Sequence, residues 1–183
     1  MTPDLLLIGL RASGKSTLGR ALADACGRPF ADLDDVVLEH MGYATVADAW
    51  SAEGEPAFRD AEVQALHRLL RGGGTVLALG GGTPAQPRAQ KAMRSAQRAG
   101  SAMVVYLRCA PEELRRRLEI TGAGADRPSL TGADPLDEIA SVYAQRDPVY
   151  VSIADHVIEG IATLDEGLTR LRAIWPKDQA ATE

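Results

Sequence analysis

Gly9-Leu-Arg-Ala-Ser-Gly14-Lys15-Ser16 matches the pattern GxxxxGK[ST] in full. The chemistry this pattern serves is the cradling of a polyphosphate. Its glycines let successive backbone N–H groups point inward around phosphate oxygens, and the helix that follows adds its positive end. Lys15 would reach the outer phosphates, and Ser16 would offer a hydroxyl to Mg²⁺. Ala12, Ser13, Gly14, Lys15, Ser16 and Thr17 are therefore the candidate nucleotide-binding residues. The motif names a phosphoryl donor and leaves the acceptor open, because GTPases, transport ATPases and small kinases all share it.

The acceptor side must be sought among the other charged and glycine-rich segments. Asp32 and Asp34 flank Leu33 at the end of an expected strand, where side chains two apart point the same way. Parallel sheets bind ligands beyond the carboxyl ends of their strands. Capping of the following helix would account for one of the two carboxylates. Arg59 lies in Gly54-Glu55-Pro-Ala-Phe58-Arg59-Asp-Ala-Glu62, at helical spacing from Glu55 and Glu62. Taken locally, that spacing gives a surface ion pair. Gly80, Gly81 and Gly82 end a hydrophobic strand at the same sheet edge as the phosphate loop. They make either a flexible turn or bare backbone against which a ligand can lie. Arg127 and Arg146 are further candidates for holding anions, while the run Arg115-Arg116-Arg117 reads as a solvated helix face.

These residues need elements to place them. Leu5-Leu6-Leu7-Ile8 is a short continuous apolar run, the mark of a strand buried on both faces. A helix from about Lys15 carries Leu18, Leu22 and Cys26 on one stripe. Further strands are expected around 29–32, 75–79, 102–107 and 156–159. Helical stretches are expected in the segment ending near Gly42, over 61–70, over 112–118 and from a Thr163-Leu-Asp-Glu166 capping box onward. The last of these puts Leu164, Leu168 and Leu171 on one face. Such alternation predicts a parallel sheet with helices on both sides. Residues 1–175 form one domain on this reading, followed by a polar tail at 176–183.

Composition closes off other classes. At 183 residues, 45% hydrophobic and 25% charged, the chain suits a soluble globular domain. A net charge of −5 disfavours a nucleic-acid coat. Apolar runs are of strand length only, so no membrane span is expected. No basic stretch followed by an apolar run opens the chain, so no secretory signal is expected. Cys26 and Cys109, outside any ligand pattern, read as core thiols of a reducing compartment. His40, His67 and His156 show no metal-ligand spacing, and no GxSxG supports a serine nucleophile.

Taken in order, the phosphate loop, the Asp-x-Asp, the Gly-Glu-x-x-Phe-Arg-x-x-Glu, the triple glycine, Arg127-Pro128 and Arg146-Asp-Pro-Val-Tyr150 resemble shikimate kinases. The resemblance runs from about Leu5 to Ile158. It implies an α/β P-loop three-layer sandwich of the nucleoside monophosphate kinase-like kind, with a five-stranded parallel sheet in the order 2-3-1-4-5. It also implies a substrate-binding region at about 33–62 and a lid at about 119–131. The implied activity is ATP-dependent phosphorylation of shikimate with Mg²⁺, by a cytoplasmic monomer. On that resemblance Asp34 binds the substrate hydroxyls beside the attacking one. Arg59 and Arg146 grip the carboxylate, with N–H groups from Gly80, Gly81 and Gly82. Asp32 joins Ser16 at Mg²⁺, and Arg127, with Lys15, acts on the transferring phosphoryl group.

The chain also departs from the pattern. Ala12 stands where such loops usually have glycine, and alanine fits only if its φ is negative. Ser129 replaces a leucine of the lid. Ile120 takes the place of an arginine that stacks on adenine, which leaves Arg117 as the candidate substitute. Two rivals remain at this point: a kinase of another small hydroxy acid such as gluconate, and a non-catalytic ligand-binding regulator built on the same fold.

Overall fold

Along β1 (Asp4–Ile8) every residue is buried, and successive side chains enter different cores. Leu6 and Ile8 face the larger core, whereas Leu5 and Leu7 face the smaller one. Period-two alternation on a strand covered on both sides requires this division. The computed structural model describes residues 2–70, 73–121, 136 and 138–175. After β1 come α1 (Lys15–Cys26), β2 (Phe30–Asp32), α2 (Leu33–Met41), α3 (Val46–Leu69), β3 (Val76–Ala78) and α4 (Pro87–Arg98). They are followed by β4 (Ala102–Arg108), α5 (Pro111–Thr121), α6 (Ile139–Ile153), β5 (His156–Glu159) and α7 (Leu164–Ile174).

The strands form one five-stranded sheet in the order β2-β3-β1-β4-β5, with every pairing parallel. Leu18 and Leu22 of α1 and Leu171 of α7 fill the smaller core beneath Leu5 and Leu7. The other face is covered by α2 to α6, through residues such as Val37, Phe58, Met93, Leu114 and Tyr150. The three-layer sandwich and strand order expected from the sequence are therefore those of the structure. All five strands end at one edge, where the phosphate loop and the triple glycine leave the sheet.

Several elements differ from the sequence expectation, each for a local reason. The helix expected at 61–70 is the last part of α3, which starts at Val46 behind Thr45, whose side chain accepts from Asp48 N. Gly54 (φ 82°, ψ 158°) breaks that helix, and Pro56 follows two residues later. The stretch therefore reads as a connection until its flanks are seen packed. Helix α4 leaves no apolar period in the sequence, because its buried face is built from Ala89, Ala92 and Met93, with no stripe of large apolar residues. Helix α6 contains Pro148 and turns polar residues toward the sheet, which hides its period. Leu164, placed on the buried face of α7 by its spacing, is instead 45% exposed, and Gly167 and Leu171 take that face. The cap itself forms: Thr163 Oγ1 accepts from Glu166 N, and Glu166 accepts from Ala162 N.

Candidate active site

The loop between β1 and α1 is shaped by left-handed backbone. Gly9 has φ 155°, and a Cβ there would stand 2.5 Å from Ser13 Oγ and 2.8 Å from Leu107 O. Gly14, with φ 94°, enters α1, and no side chain caps that helix. An uncapped helix start beneath a curled loop is a fitting seat for phosphate. Ala12 has φ 62°, contrary to the negative value expected for an alanine here. The loop keeps its curl at the cost of about 1 kcal/mol of backbone strain, which alanine bears with the smallest Cβ clash of any non-glycine residue.

Lys15 Nζ donates to Gly9 O at 3.0 Å and Leu10 O at 2.9 Å, so its ammonium lies against the loop it would serve. Ser16 Oγ donates to Asp32 Oδ2 at 2.5 Å, and Thr17 beside it is exposed. Asp32 is the cap of α2, its other oxygen accepting from Asp34 N at 3.1 Å. Burial pushes its carboxyl above the ordinary range and the charges of Asp34 and Asp35 add to this, while the bonds from Ser16 and Asp34 N oppose it.

The pair of aspartates is corrected in one respect. β2 ends at Asp32, and Asp34 already belongs to the first turn of α2. The two side chains therefore diverge. Asp32 turns to Ser16, and Asp34, largely buried, turns to the triple glycine.

A methyl group on Gly80 would stand 2.5 Å from Asp34 Oδ1 and 2.7 Å from Glu62 Oε1. One on Gly82 would stand 2.6 Å from Arg59 Nη1. Only glycine lets the backbone run this close to three charged side chains. Arg59 is bonded to Glu62 through Nη1 at 2.8 Å and to Glu55 through Nε and Nη2, both at 3.0 Å. Its guanidinium also lies over the ring of Trp50, 5.2 Å from the centroid. Arg146 Nη1 donates to Gly81 O at 2.8 Å, and the hydroxyl of Tyr150 donates to the same oxygen. One cavity is bordered by Asp34, Arg59, Glu62, Gly81, Gly82 and Arg146, with Trp50, Phe58 and Leu10 among its apolar walls.

Glu62 departs furthest from its local spacing. Its helical spacing gives a surface ion pair, yet its side chain is only 1% exposed. It accepts from Thr83 Oγ1 at 2.6 Å and Gln86 Nε2 at 2.8 Å besides Arg59. Arg59 comes from the same helix, and the packing of α3 against the segment after β3 brings Thr83 and Gln86 within reach.

A second cavity runs from the phosphate loop to Arg116, Arg117, Ile120 and the segment from Ile161 to Leu164. The triple arginine does not act as one face. Arg115 and Arg116 are exposed, whereas Arg117 folds back, donating to Ala12 O and Ile161 O at 3.3 Å each. Glu113 holds Arg116 and Arg117, and their hydrogen bonds lower its carboxyl to about 2. Ile120, 70% exposed, borders this cavity as well. Arg127, Ser129, most of the expected lid and the tail at 176–183 lie outside the described residues.

Another polar group had no sequence signal. Arg108, the last residue of β4, grips Asp147 of α6 with two bonds of 2.7 Å and reaches Glu159 of β5 at 2.6 Å. Tyr106 donates to the same aspartate at 2.9 Å. Asp147 adjoins Arg146, so this cluster ties the helix carrying Arg146 to the sheet. Cys26 and Cys109 are half-buried free thiols, and all three histidines are exposed. Among the described residues no helix is long and apolar enough to cross a membrane.

A parallel sheet in this order, a phosphate loop after its central strand and an arginine-lined pocket alongside define a P-loop phosphotransferase of the nucleoside monophosphate kinase-like fold. Comparison with known proteins narrows the class. The sequence model of the family described as shikimate kinase matches residues 11–171. The Shikimate kinase of Oleidesulfovibrio alaskensis is 41% identical over 156 residues, covering 85% of this chain and 87% of that protein. Shikimate kinase 2 of Sodalis glossinidius is 36% identical over 177 residues, covering 96% and 98% respectively. The solved shikimate kinase of Acinetobacter baumannii in complex with shikimate superposes with a TM-score of 0.83 at 30% identity, covering 95% of this chain and 93% of that one. The chain belongs to the shikimate kinase family.

Proposed function

We propose that this protein transfers the γ-phosphoryl group of ATP to a hydroxyl of shikimate, giving shikimate 3-phosphate and ADP for aromatic amino acid synthesis. The observation that carries this reading is the pocket in which Arg59 and Arg146 converge on Gly81 and Gly82 with Asp34 alongside. Two guanidinium groups suit a carboxylate, and a buried aspartate suits neighbouring hydroxyls. A kinase of gluconate shares the donor half of such a site, but the family match favours the shikimate half.

We assign the roles from the family resemblance, which the positions of the described residues support. Lys15 and the loop from Ala12 to Thr17 hold the β- and γ-phosphates. Arg59 and Arg146 take the acid's carboxylate, helped by N–H groups of Gly80, Gly81 and Gly82. Asp34 orients the attacking hydroxyl and receives its proton. An ordinary carboxylate suffices for that, because phosphoryl transfer depends on position and positive charge more than on a strong base. Arg117 packs on the base side of the nucleotide, and Arg127 of the lid closes over the phosphates.

A magnesium ion would be held by Ser16 and, through water, by Asp32. One hydroxyl and one carboxylate joined at 2.5 Å make a donor set of the kind this ion takes beside phosphates. The ion supplies charge neutralisation at the β- and γ-phosphates. We read the region at 33–62 as the acid-binding part, 119–131 as the lid, and the protein as a cytoplasmic monomer that binds neither nucleic acid nor membrane.

The test is turnover with MgATP and a panel of shikimate, quinate, gluconate and nucleoside monophosphates, followed by coupled ADP release. Shikimate should be preferred by at least about two orders of magnitude, since a site built on buried polar contacts rejects ligands that leave them unpaired. A preference for gluconate or a nucleotide would overturn the reading. So would binding of shikimate without turnover, the behaviour of a non-catalytic regulator.

A further inference from the structure

The donor and acceptor cavities meet at one cation. Arg11 is the charged residue that borders both, joining Asp34, Arg59 and Arg146 on one side and Lys15 and Ser16 on the other. The point where the two cavities meet is where the γ-phosphorus and the attacking hydroxyl must come together. The backbone fixes Arg11 at that point. A methyl on Gly81 would lie 3.5 Å from the Arg11 amide nitrogen, so the phosphate loop packs against the triple glycine at this residue. Immediately after it, Ala12 is held at φ 62°, the one left-handed non-glycine conformation among the described residues. Backbone strain of this kind persists where surrounding structure demands it, and it gathers at working sites.

We infer that Arg11 is a catalytic residue, its guanidinium contacting the equatorial oxygens of the phosphoryl group in flight. The inference rests on the proposed kinase reaction and deepens it. In that step the acid's hydroxyl oxygen forms a bond to the γ-phosphorus. The bond from phosphorus to the β,γ-bridging oxygen breaks, its electron pair leaving on ADP, and the hydroxyl proton passes to Asp34. Midway the moving group is planar, with its charge spread over three equatorial oxygens, so a cation placed to meet them in that geometry binds the transition state more tightly than either ground state. Lys15 lines the donor cavity and is not among the residues bordering the acceptor one. Arg11 borders that face and is carried by the loop itself, so it stands in place before any lid closes.

The experiment compares the wild type with Arg11→Met, which keeps the stem length, and with Arg11→Lys. Arg11→Met should lower kcat by about 100-fold, the loss typical of removing one transition-state donor. The KM for the acid and the Kd for MgADP should stay within about threefold, because ground-state binding is held by other groups. Arg11→Lys should recover part of kcat. Thermal melting of each variant reports its folding. Slow hydrolysis of MgATP without any acid gives a second reading that does not depend on which acid is the substrate, and Arg11→Met should depress it too. Failure of the wild type to phosphorylate shikimate sinks the functional proposal and leaves this hydrolysis reading to decide on Arg11. A kcat and a hydrolysis rate both unchanged in a folded Arg11→Met would overturn the inference. A fall in kcat matched by an equal loss of MgADP binding would also overturn it, because Arg11 would then be an ordinary phosphate ligand.

Discussion

Arg59 Nη1 meets Glu62 Oε2 at 2.8 Å, and the Glu62 side chain is only 1% exposed while that of Arg59 is 20% exposed. The arginine proposed to take the substrate's carboxylate is thus aimed by a carboxylate already sealed in the protein. Thr83 and Gln86 fix that carboxylate in turn. Glu62→Gln would set an amide donor against Arg59 and Gln86. It should raise the KM for shikimate about tenfold and lower stability by about 1–3 kcal/mol, with the KM for ATP little changed. Steady-state kinetics in both substrates and urea unfolding check this; equal effects on both KM values would remove Glu62 from the acid side.

Asp32 and Asp34 should separate in function as they do in direction. Asp34→Asn keeps the size but loses the charge proposed to stand beside the acceptor hydroxyl, so kcat should fall by about 100-fold while ATP binds normally. Asp32→Asn weakens the bond from Ser16 and the proposed metal shell, so it should raise the Mg²⁺ needed for half-maximal rate. Titrating Mg²⁺ and shikimate separately against both variants distinguishes them. Interchanged effects would mean the two roles are reversed.

The three glycines after β3 should not respond alike to alanine. A methyl at Gly80 would meet Asp34 at 2.5 Å, and one at Gly82 would meet Arg59 at 2.6 Å, but one at Gly81 finds its nearest neighbour at 3.5 Å. Gly80→Ala and Gly82→Ala should each lower kcat/KM for the acid by roughly tenfold or more, because the fixed charges must move to admit the methyl. Gly81→Ala should stay within about threefold, ordinary van der Waals contact being available there. A Gly81→Ala variant as impaired as the other two would show that backbone flexibility matters here more than space.

Ala12 carries its strain at φ 62° in a loop that would hold phosphate. Ala12→Gly removes the clash but loosens the unfolded chain, so the net gain should be between a few tenths and about 1 kcal/mol. For a domain of this size that corresponds to a rise in melting temperature of at most about 4 °C. Ala12→Val should lose about 2 kcal/mol, since a β-branched residue is far worse in this conformation. Scanning calorimetry of the three proteins gives the order directly, and a glycine variant less stable than the wild type would refute the strain.

The phosphate loop, β1, β5 and α7's cap could be read from the sequence because each depends on neighbours in the chain. A glycine pattern, a continuous apolar run and a Thr-x-x-Glu box need no distant partner to be recognised. The order of motifs carried the family and, through it, the sheet order and the arginine pair. What the chain could not disclose was direction and burial. Asp32 and Asp34 share a face only if both are extended, and the start of α2 between them turned one toward Ser16 and the other toward Gly80. Glu62 has surface spacing on its own helix and becomes a buried anchor only when the segment after β3 packs over it. Arg108 and Asp147 lie on a strand and a helix far apart in sequence, and their bidentate pair exists only once β4 and α6 are in contact. Arg11 occupies an unspecified position of the GxxxxGK[ST] pattern, and its place between two cavities depends on the glycine run lying against the loop. Local geometry is set by short-range sterics and hydrogen bonding, whereas the surroundings of a charge are set by which elements pack on it, and that is decided by the whole fold.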